Sequence, residues 1–194
     1  MKLSLVIMAA GLGSRYGGNK QVDGIGPHGE FLMEYAIYDA LRAGFGRIVF
    51  IIKPEMRELI ERLCGSLAGR TALDGSPAEV CYAYQTFDSL PAFYRVPAGR
   101  TRPYGTVHAL LCAEEAVTGP CCVINADDFY GLDAYRHMAQ ELRRLPAEGG
   151  AAMVGYLLKN TASLHGTVTR GLCVRQGGFL DSVRETRNIQ LYPD

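Results

Sequence analysis

The sequence has no excess charge of either sign. Twenty Lys and Arg balance twenty Asp and Glu, so the formal net charge at pH 7 is zero. That removes the electrostatic case for non-specific binding to nucleic acid or to an anionic membrane surface. No apolar run approaches the ~20 residues that span a bilayer. No charged leader followed by an apolar stretch and a cleavage site precedes the first apolar run, which starts at Leu3, so a cytoplasmic protein is expected. The six cysteines, at 64, 81, 112, 121, 122 and 173, show neither C-x-x-C spacing nor a His/Cys metal pattern. Each lies in or beside an apolar stretch, and buried free thiols in a reducing compartment are expected. Internal repeats, low-complexity segments and linker-like compositions are also missing, so the 194 residues read as one domain, 1–194.

What is present starts with an apolar run, Leu3 to Ala10, which reads as a buried strand. It leads into a loop, residues 11–21, with four glycines, Arg15 and Lys20. Glycine lets the backbone approach a ligand closely. Successive N–H groups in such a loop converge on an anion. Two mobile cations in the same few residues suit a polyphosphate. Each charge pair at ~4 Å is worth about 4 kcal/mol at an effective dielectric of ~20, before desolvation.

Two phosphate-loop patterns fail here. The P-loop needs Gly-Lys-Ser/Thr in succession, but Asn19 separates Gly18 from Lys20 and Gln21 follows. The dinucleotide fingerprint G-x-G-x-x-G begins at Gly11 and Gly13 and meets Tyr16 at its third glycine. What remains is G-x-G-x-R with a lysine shortly after.

Hydrophobic periodicity orders the rest. Helices are expected over 31–43, 55–64, 107–117 and 133–145, and strands over 47–52, 79–85, 120–126 and 151–158. A hairpin is expected from 167–175 and 179–183 about Gln176-Gly177-Gly178. Strand–helix–strand alternation predicts an α/β fold, with a Rossmann-like mixed, mostly parallel sheet flanked by helices. Residues 86–101 form a long loop with Pro91, Pro97 and Gly99, of the kind that covers binding sites. The fourth strand ends in Asp127-Asp128, where an open sheet presents its ligand crevice. Such hard oxygens suit Mg²⁺, with Asp127 the ligand and Asp128 in the following turn or facing water.

Together these features resemble the nucleotidyltransferases that make nucleotide sugars from a nucleoside triphosphate and a sugar-1-phosphate. The resemblance implies the nucleotide-diphospho-sugar transferase type of fold. It places Ala10, Gly11, Leu12, Gly13 and Ser14 around the triphosphate, with Arg15 and Lys20 as the catalytic cations. Gln85 after the third strand and Gly105 at the opening of the next helix would read the base, with uridine or deoxythymidine triphosphate favoured. Tyr104 either stacks on the nucleotide or packs as an ordinary core residue. Asp127 would hold Mg²⁺, and Gly166 and Glu185 would meet the sugar. His108 and His165 lie beside these binding segments.

Members of that family carry a second metal-binding aspartate well downstream of the glutamate. Here only residues 186–194 follow Glu185. A chain shortened at its C-terminus is therefore expected, with metal held weakly and an exposed sheet edge that invites a homo-oligomer. Two other functions stay open: nucleotidyl transfer to a non-sugar phosphorylated acceptor, and a nucleotide-binding module without turnover.

Overall fold

A computed structural model of the chain describes residues 2–11, 24–64, 67 and 69–192. The chain forms two compact units, one up to Ala152 and one from Met153. The boundary falls inside the apolar run 151–158.

The first unit is built on four strands. They are β1 (Leu3–Met8), β2 (Phe45–Ile52), β3 (Glu79–Tyr84) and β4 (Cys121–Asn125). All pairings are parallel, in the order β3-β2-β1-β4. The helices are α1 (Leu32–Ala43), α2 (Arg57–Cys64), α3 (Thr106–Cys112) and α4 (Leu132–Leu142).

Alternation along the two central strands sorts their side chains into two layers, since successive strand residues face opposite sides of a sheet. Leu5 and Ile7 of β1, with Ile48, Phe50 and Ile52 of β2, share one cluster with Met33, Ile37 and Leu41 of α1, Ile60 of α2, and Tyr135 and Leu142 of α4. Val6, Val49 and Ile51 point the other way and pack with Ala83 of β3 and Ala109 of α3. A sheet covered on both faces favours apolar residues on both sides of its strands, and residues 5–8 of β1 and 48–52 of β2 are continuous apolar runs for that reason.

The helix ends follow local chemistry. The backbone N–H of Phe31 donates to the Glu34 carboxylate at 2.9 Å, one half of a capping box at the start of α1. Gly44 closes the same helix in the left-handed region (φ 99°), and its N–H donates to the carbonyls of Ala40 and Leu41.

The second unit holds one antiparallel hairpin, β5 (Val168–Gln176) and β6 (Phe179–Ile189). Its turn glycines, Gly177 and Gly178, both have positive φ. The second strand runs six residues beyond the expected 179–183. Three other expectations are corrected. No strand forms over 151–158; apolar content alone does not make a strand without a pairing ladder, and most of these residues are exposed. The expected helix 107–117 stops at Cys112 and gives way to a 3₁₀ turn, Glu114–Ala116. Only Cys64 of the six cysteines is buried; four are half-buried and Cys173 is exposed. Cys121 and Cys122 lie on an edge strand, and Cys173 sits on a two-stranded hairpin with no second layer in its own unit.

Candidate functional site

The order of the strands locates a crevice. From β1 the chain steps outward to β2 and then β3, and from β3 it returns past both to place β4 on the far side of β1. In open parallel sheets ligands bind outside the carboxyl ends of the strands, at such a reversal. Here that point lies between β1 and β4. Met8 and Asn125 are paired in register, and the Ala126 N–H donates to the Met8 carbonyl at 3.3 Å. Ala10-Gly11 and Asp127 therefore leave the sheet side by side. Ala10 is buried and Gly11 is exposed. Among the described residues, none would meet a Cβ built on Gly11 within 4 Å. Leu12, Gly13, Ser14, Arg15 and Lys20 lie outside the described residues.

The two aspartates after β4 are arranged differently. The Asp128 carboxylate accepts from the Asn125 side-chain amide at 2.8 Å and from the Tyr130 hydroxyl at 3.3 Å. The Tyr130 oxygen in turn accepts from the Asn125 N–H at 3.0 Å. Asp128 thus ties the side chains of Asn125 and Tyr130 together after β4. Asp127 is exposed at the mouth of the crevice. Among the described residues no group of three or more His, Cys, Asp or Glu side chains could enclose a metal ion. One protein carboxylate is enough to fit Mg²⁺, which commonly takes one or two carboxylates and completes its shell with substrate phosphates and water.

A second group of residues gathers beyond β3. The Gln85 N–H donates to the Ile52 carbonyl at 2.8 Å, so the backbone at Gln85 continues the ladder one residue beyond β3. Its side chain is buried, with 9% exposure, so it is not an exposed strand-end amide. Gln85 Nε2 donates to the Tyr104 carbonyl at 2.8 Å and lies 3.4 Å from Nδ1 of buried His108. The amide nitrogen must be the atom facing Tyr104, because a carbonyl only accepts.

The Tyr104 ring has edge contacts with Phe87, Tyr94 and His108 at centroid distances of 6.0, 5.6 and 5.7 Å. The Arg100 guanidinium lies over one face, 3.8 Å from the centroid. Its hydroxyl meets that of Tyr94 at 2.7 Å, which, together with burial, pushes the Tyr104 phenol above its ordinary pKa. The long loop 86–101 thus supplies Phe87, Tyr94 and Arg100 to one aromatic cluster.

Gly105, directly before α3, has φ −70° and ψ −157°, and a Cβ there would meet nothing within 4 Å. Neither its angles nor its packing asks for glycine. Beside this lies a cleft of about 180 Å³ lined by Lys53, Glu55, Gln85, Thr86, Phe87 and Pro103. From sequence, His108 is recognisable only as lying beside a binding segment, and Lys53, Phe87, Tyr94 and Arg100 carry no individual signal. The i, i+4 spacing of His108 and Cys112 was the available signal.

Gly166 and Glu185 belong to the second unit. Gly166 has φ 136°, which favours glycine. Glu185 faces Gly171 across the hairpin and is ion-paired with Arg187 at 3.1 Å, both exposed. An exposed pair of this kind stabilises by no more than about 1 kcal/mol. His165 is exposed, its N–H bonded to the Ser163 hydroxyl.

No protein-family model matches the chain, and no curated protein does. Solved structures do. The inositol-1-phosphate CTP transferase from T. maritima is 16% identical, with a TM-score of 0.47 over 68% of this chain and 46% of its own. A UDP-glucose pyrophosphorylase solved with UDP-glucose is 17% identical, with a TM-score of 0.49 over 91% of this chain and 66% of its own. The chain thus spans about half the length of the first and just under two thirds of the second.

Proposed function

We propose that the chain is a nucleotidyltransferase that moves a nucleoside monophosphate from a triphosphate to a sugar-1-phosphate and releases pyrophosphate. The observation that carries this reading is the in-register pairing of Met8 with Asn125, which sets the strand end leading through Ala10-Gly11 into the glycine-rich sequence next to the strand end leading to Asp127. A loop rich in backbone donors and cations beside a carboxylate is a combination suited to a metal-bound polyphosphate.

A phosphate oxygen of the sugar-1-phosphate attacks the α-phosphorus in line. The bond to the bridging oxygen of the β-phosphate breaks, and pyrophosphate leaves with its electron pair. The attacking phosphate is already ionised, so no side chain need remove a proton. Positioning and charge stabilisation are what the protein supplies. Arg15 would grip the leaving phosphates with its planar fork. Lys20 would stabilise the charge on the transferred group. Asp127 would hold Mg²⁺, which when bound neutralises charge on the phosphate oxygens.

UTP and dTTP are the favoured donors. Gln85 Nε2 is committed to protein acceptors, which leaves Oε1 to accept from the N3–H of uracil or thymine. Gly166 and Glu185 are proposed to meet the sugar.

The test is pyrophosphate detection across a panel of four triphosphates, each with sugar-1-phosphates and with phosphorylated alcohols, in the presence of Mg²⁺. Release with UTP or dTTP and a sugar-1-phosphate is expected. Release confined to phosphorylated alcohols would move the acceptor outside the sugars. Binding of triphosphate with no release from any pair would leave a binding module.

A further inference from the structure

One chain of hydrogen bonds behind the base-reading residue has a fixed direction. Gln85 Nε2 lies 3.4 Å from His108 Nδ1, and His108 Nε2 lies 3.6 Å from Cys112 Sγ. An amide nitrogen donates and does not accept, so His108 Nδ1 must be the unprotonated, accepting nitrogen. The ring proton then sits on Nε2 and points at the Cys112 sulfur. The thiol in turn faces the Thr86 carbonyl at 4.0 Å. Both hydrogens of the Gln85 amide are thereby taken, one by Tyr104 and one by His108.

His108 is 4% exposed. The Tyr104 ring stands perpendicular to it at 5.7 Å. Cys112 is one turn further along α3, so the helix itself sets the distance between thiol and ring.

We infer that His108, oriented by Cys112, is a positioning residue that fixes Gln85 as a hydrogen-bond acceptor toward the nucleobase and so sets a preference for bases carrying an N3–H. Without the ring acceptor, one amide hydrogen is released. The amide then has only the Tyr104 bond to hold its plane, and it offers a donor as well as an acceptor. A cytosine, whose N3 accepts, is disfavoured by the intact arrangement and tolerated by the loosened one. This inference rests on the nucleotidyltransferase reading for its ligand and on the hydrogen-bond directions for its mechanism.

Two measurements test it. Long-range ¹H–¹⁵N spectra of the intact protein read the His108 tautomer whatever the activity. The Nε2-protonated ring is expected, and an Nδ1-protonated ring overturns the inference. The second measurement compares kcat/KM for UTP and CTP in wild type, His108→Phe and His108→Gln. His108→Phe should cut the UTP preference about tenfold, the scale of one misdirected hydrogen bond, through KM with kcat held. His108→Gln, whose amide oxygen can accept from Gln85, should restore most of it. A His108→Phe protein that keeps the wild-type preference overturns this inference alone. A wild type that binds no triphosphate overturns the proposed function, and the selecting role falls with it.

Discussion

Lys20 and Cys64 illustrate how differently single residues announce themselves. Lys20 stands in a glycine-rich loop after a buried strand, and chemistry alone gives it a role in holding phosphate. Replacing it with alanine should lower turnover about 10²-fold, the scale of one lost electrostatic group at a transition state, while the melting temperature stays within a degree or two of wild type. Near-normal turnover would remove Lys20 from the mechanism.

Cys64 is legible as a core thiol because it ends the apolar face of α2, and burial pushes its pKa up to about 12. Cys122, packed at the edge of the same core, is pushed up to about 11 by burial. The unfolded thiols keep an ordinary value near 9. As pH rises above 9 the unfolded chain releases protons that the folded protein retains. Stability held below pH 9 is therefore lost progressively toward pH 12. Urea denaturation between pH 8 and 10.5 should show this slope, and Cys64→Ala should flatten it. An unchanged slope in that variant would assign the loss to other groups. Gln85 was less legible. Its type and place were readable, but its burial and the direction of its amide depend on Tyr104 and His108, 19 and 23 residues away.

The elements of the first unit could be read closely because each had a strong period. Met33, Ala36, Ile37, Ala40 and Leu41 recur at helical spacing and all are buried on α1. Ile37 is fully buried where α1 meets the sheet, so Ile37→Ala should cost about 2–5 kcal/mol through the lost transfer energy and the cavity. A chemical-denaturation midpoint close to wild type would mean that the site collapses around the smaller side chain. The failures have the same physical root. Residues 151–158 are apolar, but whether such a run becomes a strand depends on a partner, which periodicity does not reveal. Helix α3 ends early at Ala113, whose carbonyl accepts from Ala116 and Val117 in the 3₁₀ turn that follows. No glycine or proline marks that stop in the sequence.

At the scale of the whole molecule, the strand order was the part that sequence could not supply. Alternating strands and helices announce a parallel sheet, but only the fold shows that β4 returns to the side of β1. That return sets Asn125, two residues before Asp127, against Met8, three residues before Gly11, across more than a hundred residues of sequence. The hairpin of the second unit was legible from its Gly177-Gly178 turn, yet its exposed Val174, Phe179 and Val183 follow no pattern that fixes what they face. Among the described residues no helix is long and apolar enough to cross a membrane.

The proposed function requires residues 11–20 and Asp127 to hold the same phosphates. A crystal structure with UTP and Mg²⁺ bound tests it most directly. The triphosphate is expected against residues 11–20, with the cation between it and Asp127. A nucleotide seated elsewhere, or a triphosphate whose cation lies far from Asp127, would contradict it.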